Sequence, residues 1–146
     1  MTAPARPLPL NLDDFLHHQS ITTRWMDNDV YGHVNNVVYY SFFDTVVNQY
    51  LVEQYGLDPQ TSPIIGLVVE TQCSYFRPLS FPDTVKAGLR VARIGNSSVR
   101  YEVGLFRNDE NSASAQGHFV HVYVDRDTRR PVPLPDGLRS ALAPLL

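Results

Sequence analysis

One segment limits the fold more than any other. Residues 36–55, NVVYYSFFDTVVNQYLVEQY, run for about five helical turns with almost no polar relief. The polar residues Ser41, Asp44, Thr45, Asn48, Gln49 and Glu53 recur at helical spacing and form a single stripe. Val, Tyr, Phe and Leu fill the rest, so this helix is apolar around most of its circumference and has to be covered. The β-branched pairs Val37-Val38 and Val46-Val47 favour a strand taken alone. Length, the polar stripe and the stop signal at Gly56 decide for a helix.

The helix is entered through a polar loop, RWMDNDVYGHV, holding two acids and a histidine. Asn35 or Asn36 serves as cap, leaving backbone N–H groups at the positive end of a buried helix. Asp29 lies a few residues upstream, with Gly32 between them to let the loop fold back. A carboxylate facing free N–H donors can activate a nucleophile and polarise a carbonyl.

The run Asp-Asn-Asp-Val-Tyr-Gly-His-Val-Asn-Asn-x-x-Tyr, from Asp27 to Tyr39, resembles the signature of hotdog-fold acyl-CoA thioesterases of the 4-hydroxybenzoyl-CoA thioesterase-like family. The resemblance continues through Cys73-x-Tyr75-x-x-Pro78, Phe81-Pro82-Asp83 and Gly95-x-Ser97-Ser98, covering about 21–135. It implies that Asp29 supplies the catalytic carboxylate and that the N–H of Asn36 donates to the thioester oxygen. Plant-type acyl-carrier-protein thioesterases carry an asparagine two residues after the acid. Tyr31 stands there instead, so a full Asp/Asn/His set does not transfer. His33 either orients Asp29, or bonds the substrate carbonyl, or packs beneath the loop. Hotdog enoyl-CoA hydratases place a histidine five residues after the acid, whereas His33 is four after Asp29.

Asp29 has a rival role, because Asp often caps a turn through its own backbone. Asp27 points the same way along an extended loop and is expected to accept backbone N–H groups and hold the loop. Tyr31 and Asn35 are the candidate substrate-binding residues beside Asp29, His33 and Asn36. Tyr39 and Tyr40 are expected in the core.

After 57–63 come four strand-like runs at 64–77, 84–94, 97–107 and 116–125, separated by turn residues. Short links between long strands imply antiparallel neighbours. A fifth, short strand is expected at 21–26, after a weakly helical 13–20. One buried helix with about five antiparallel strands leaves few architectures. The expected fold is α+β, a hotdog whose sheet wraps around the helix. The division is an N-terminal arm over 1–20, a hotdog domain over 21–135 and a C-terminal tail over 136–146. A curved sheet on one helix leaves an unpaired edge, which predicts a homodimer or homotetramer.

Composition excludes other classes. With 146 residues, 43% apolar and 18% charged, the chain makes one domain with a real core. A net charge of −3 argues against nucleic acid and anionic membranes. The single cysteine, Cys73, excludes an internal disulfide and sits in an alternating segment as an inert thiol. No run is long enough to span a bilayer and the N-terminus lacks a signal-like apolar stretch, so the expected compartment is the cytoplasm. His118 and His121 are three apart in a strand and fall on opposite faces, so no metal site is expected. Arg77, Arg93, Arg100, Arg126, Arg129 and Arg130 are the candidates for CoA phosphates.

The sequence thus predicts hydrolysis of an acyl-CoA or acyl-carrier-protein thioester without metal or redox cofactor. The alternatives are a hotdog enoyl-CoA hydratase or a non-catalytic acyl-CoA-binding module.

Overall fold

The computed structural model describes residues 7–146. Strand β1 (His17–Thr22) is followed by helix α1 (Val38–Tyr55), then β2 (Ile64–Tyr75), β3 (Thr84–Ile94), β4 (Ser98–Arg107) and β5 (Ala115–Asp125), and finally a short helix α2 (Asp136–Leu142). The strands form one sheet in the order β1-β3-β4-β5-β2, every pair antiparallel. This is the expected hotdog, a five-stranded sheet wrapped around α1.

The apolar residues of α1 set this arrangement. Tyr39, Phe42, Phe43, Val46, Val47, Tyr50 and Leu51 are buried, while Ser41, Asp44, Thr45, Asn48, Gln49 and Glu53 face solvent. They pack on Val85, Leu89, Val99, Tyr101, Val103, Leu105 and Phe119 from the concave side of the sheet. Each fully buried large side chain contributes roughly 1.5–3 kcal/mol. Gly56 ends the helix at φ 80°, its N–H returning to the Leu51 carbonyl. Helix α2 closes one end of the core through Leu138 and Leu142, and the Tyr50 hydroxyl donates to the Ala141 carbonyl at 2.5 Å.

Four strands lie within two residues of their expected bounds. The first does not: it occupies His17–Thr22, and Trp25–Asp27 form a 3-10 turn where a strand was expected. The turn closes because the Asp27 carboxylate accepts the Arg24 N–H at 2.7 Å. Much of the expected 1–20 arm is joined to the sheet. Leu10 N–H donates to the Gln116 carboxamide, and Phe15 is buried against Phe106 and Ala113. Residues 1–6 of that arm lie outside the described residues.

Strands β1 and β2 are the two edges of the sheet. β2 is the longer, and its outer side carries Val68 and Val69, the latter 60% exposed beside a register shift. Among the described residues no helix is long and apolar enough to cross a membrane.

Candidate active site

The loop between β1 and α1 is built around Asp27. Its side chain is 1% exposed and accepts the Arg24 N–H at 2.7 Å and the Arg24 guanidinium at 3.0 Å. Its carbonyl accepts the Asn35 N–H at 2.8 Å, drawing the two ends of the loop together. Val34 N–H donates to the Leu79 carbonyl at 2.7 Å, and Phe81 N–H to the Asn28 carboxamide at 3.0 Å. Asp27 is therefore the organising acid of the loop, as its position suggested.

Between these anchors the chain makes a tight reversal. Asp29 N–H donates to the His33 carbonyl at 2.8 Å and Gly32 N–H to the Asp29 carbonyl at 3.1 Å. Gly32 stands at φ 80°, where an L side chain is strained. The Asp29 carboxylate takes part through one oxygen: Oδ1 accepts the Tyr31 N–H at 2.9 Å and the His33 N–H at 3.4 Å. Oδ2 has no hydrogen-bond partner among the described residues. The turn-capping role and an available carboxylate oxygen coexist in the same residue.

The start of α1 is organised by Asn35. Its Oδ1 accepts the Val37 N–H at 3.1 Å and its carbonyl accepts the Val38 N–H at 2.9 Å, so 35–38 form a turn leading into the helix. Asn36 lies at the second position of that turn, and no acceptor among the described residues takes its N–H. Helix α1 begins at Val38, two residues later than the pattern indicated.

Asp29, His33 and Asn36 line one open groove together with Val34, Tyr39, Tyr75, Phe76, Arg77 and Pro78. Tyr39 is buried, and its hydroxyl accepts the Leu79 N–H at 3.2 Å. Burial pushes its pKa up, against the pull of that Leu79 bond, with Cys73 and the charge of Asp29 adding to the rise. Tyr75 packs edge-on to Tyr39 at 4.9 Å between ring centres.

Two expected site residues fall elsewhere. Tyr31 is 83% exposed and does not line the groove. The tight reversal at 29–33 carries it outward. Asn35 is also absent from the lining, because its carboxamide is turned back onto the helix start. Tyr75 and Phe76 line the groove without having been singled out as site residues; the Cys73-x-Tyr75-x-x-Pro78 motif was the available signal.

Several of the other candidate groups are engaged or buried elsewhere in the fold. Burial pushes the Cys73 thiol up to about 11, well away from a reactive thiolate. His118 contacts Glu70 at 2.7 Å, and His121 is buried on the other face of β5. Among the described residues no group of three or more His, Cys, Asp or Glu side chains is placed to hold a metal ion. Arg126 bonds the Ser62 and Pro59 carbonyls, Arg100 pairs with Glu102, and Arg77 donates to the Ser112 carbonyl.

Comparison with known proteins places this architecture. The chain is similar to the PA5185 protein of Pseudomonas aeruginosa strain PAO1, 56% identical over 94% of this chain and 96% of that one, with a TM-score of 0.92. It is similar to a thioesterase of Thermus thermophilus whose crystal structure contains coenzyme A and Zn, 30% identical over 90% and 94% of the two chains, with a TM-score of 0.74. YsmA of Bacillus subtilis (strain 168) is 23% identical over 88% of this chain and 86% of that protein. The family model of the thioesterase-like superfamily matches residues 23–142, which takes in the acidic loop, α1 and β2 to β5, and the chain belongs to that superfamily.

Proposed function

We propose that the protein hydrolyses acyl-CoA thioesters, with Asp29 and the Asn36 N–H as its reactive groups. The observation that carries this reading is their meeting in one groove: a carboxylate with one oxygen unengaged and a backbone donor without an acceptor among the described residues. The coenzyme A held by the Thermus thermophilus thioesterase supports CoA as the thiol carrier. An acyl carrier protein presents the same thioester and is the other candidate carrier.

The thioester carbonyl would accept the Asn36 N–H, which strengthens as negative charge develops on its oxygen. Asp29 Oδ2 would take a proton from a water as that water attacks the carbonyl carbon. The tetrahedral oxyanion then collapses, the C–S bond breaks, and the CoA thiolate leaves to be protonated. The other course is direct attack by Asp29, forming a mixed anhydride that water opens. His33 also lines the groove, where it would orient the acid or bond the carbonyl.

A homodimer through the free edge of β2 belongs to the same proposal. A twelve-residue strand with exposed valines is a template for another strand, and a second copy of β2 would cover it.

The test is a thiol-release screen across short, medium, long and aromatic acyl-CoAs and an acyl carrier protein thioester, run beside Asp29→Asn. Release of thiol by the wild type and its loss in the variant is the expected result. Crotonyl-CoA hydration without thiol release, or CoA-ester binding without turnover, overturns it. After single turnover in oxygen-18 water, label in Asp29 would mark an anhydride opened at the Asp29 carbon, and hydroxylamine trapping would detect one opened at the acyl carbon.

A further inference from the structure

Two peptide groups flank Asn36, and three of their four polar groups are engaged. In the first peptide, the Asn35 carbonyl accepts the Val38 N–H at 2.9 Å. In the second, the Val37 N–H donates to Asn35 Oδ1 at 3.1 Å, and the Asn36 carbonyl accepts the Tyr75 hydroxyl at 2.8 Å. The fourth group is the Asn36 N–H, which has no acceptor among the described residues. The bonds made within 35–38 are local and open whenever the helix start frays. The bond from Tyr75 comes from the sheet.

Tyr75 is itself held from several sides. Its backbone pairs with Ala115 in the ladder between β2 and β5, and the Phe76 N–H donates to the Ser114 carbonyl at 2.8 Å. Its ring meets that of Tyr39 edge-on at 4.9 Å, and Tyr39 is part of the core. Burial raises the pKa of Tyr75, with Cys73 and Tyr40 adding to the rise. The hydroxyl therefore keeps its proton at neutral pH and stays a donor.

We infer that Tyr75 is a positioning residue for thioester hydrolysis: by holding the Asn36 carbonyl it keeps the Asn36 N–H aimed into the groove. This rests on the hydrolysis proposed above and adds to it a side chain that acts through the backbone of another residue. Tyr75 lines the groove, but its hydroxyl is spent on a main-chain acceptor. A donor stabilises an oxyanion to the extent that it is fixed before the charge develops, and a tolerance of roughly 0.5 Å applies to such groups. Without the hydroxyl, the peptide after Asn36 is tied only within its own turn, and the N–H before it loosens as well.

The experiment compares the wild type, Tyr75→Phe, Asn36→Pro and the double variant. Thiol release is followed with whichever of acetyl-, octanoyl-, palmitoyl- and benzoyl-CoA the wild type cleaves fastest. Tyr75→Phe keeps the ring against Tyr39 and removes only the hydroxyl, so the fold should survive. Its kcat should fall about tenfold, the scale of one hydrogen bond, with KM unchanged. In the Asn36→Pro background the same change should cost nothing further, because the donor that Tyr75 positions is already gone. A merely structural role would lower kcat in both backgrounds alike. Wild-type kcat in Tyr75→Phe, a raised KM at unchanged kcat, or losses that multiply in the double variant each overturn the inference while hydrolysis stands. A wild type that releases no thiol from any thioester in the screen ends the proposed function, and this inference with it.

Discussion

The Tyr75 hydroxyl donates to the carbonyl of Asn36 at 2.8 Å, joining the last residue of β2 to the threshold of α1. The two residues are 39 positions apart in the chain. The bond fixes the peptide that follows Asn36, while the N–H of the same residue stays without an acceptor among the described residues. A donor on a residue anchored through its own carbonyl reorganises little when charge develops beside it.

Asp29→Asn should lose at least about 100-fold in kcat, the range for removing an acid or base group. The fold should survive, since an Asn Oδ1 can still accept the Tyr31 N–H. Thiol release together with a thermal melt checks both halves, and near-wild-type turnover in the variant would falsify the assignment.

Asp27→Asn should behave in the opposite way. Asp27 is buried and accepts the Arg24 N–H and guanidinium, charge-assisted bonds whose loss costs roughly 1–3 kcal/mol. Chemical denaturation should register that loss, with kcat falling less than in Asp29→Asn. A collapse of kcat at unchanged stability would mean that the two acids have exchanged roles.

Asn36→Pro tests the backbone donor. Asn36 is the second residue of the turn closed by the 2.9 Å bond from Val38 N–H to the Asn35 carbonyl, a position where proline is favoured. Proline removes the N–H and leaves the turn, so kcat should fall roughly 100- to 1,000-fold. Asn36→Ala keeps the N–H and should retain most of the rate. Equal kcat values for folded Pro and Ala variants would remove this donor from the mechanism.

The stability of the wild type should fall as pH drops from about 6.5 to about 4. His121 carries a folded-state pKa lowered to about 4 from 6.5, so across that window the unfolded chain binds the extra proton. The contribution is fully present above 6.5 and is lost on acidification, by at most about 3 kcal/mol. The groups packed on the ring, Tyr101 and Tyr123, are uncharged throughout, burial holding both hydroxyls above their usual range. His17, also lowered by burial against the opposing charge of Glu53, acts in the same direction. Urea melts at several pH values should show a shallower slope for His121→Leu, with the His17 part remaining. A slope unchanged by the substitution would contradict the burial argument.

Association through β2 should respond to a charge on its outer side. Val69→Lys places an ammonium on a residue that is already exposed in the single chain, so the fold itself should tolerate it. Sedimentation at micromolar concentration should give a dimer or tetramer for the wild type and a smaller species for the variant. A monodisperse wild-type monomer would end the edge-pairing proposal.

The sequence alone determined whatever depends on a local period or a local stop. The apolar majority and single polar stripe at 36–55 required a helix with a sheet around it, and Gly56 ended that helix in the left-handed conformation. Alternation and turn residues located β2 to β5, since each strand writes its pattern into consecutive residues. Asp29, His33 and Asn36 were legible because a short loop motif carries them, and they do line one groove. Only the tertiary structure decided the rest. β1 has a polar sequence, HHQSIT, and is a strand because β3 offers its edge, with Phe15 just ahead of it buried on Phe106. Tyr31 points away and Asn35 turns inward because the direction of a loop side chain follows from backbone bonds made within and across the reversal. Tyr75 reaches Asn36, and His121 faces a pocket with no protein partner among the described residues, only because sheet and helix bring distant residues together. No period in the chain encodes such pairings, which come from packing between elements far apart in sequence.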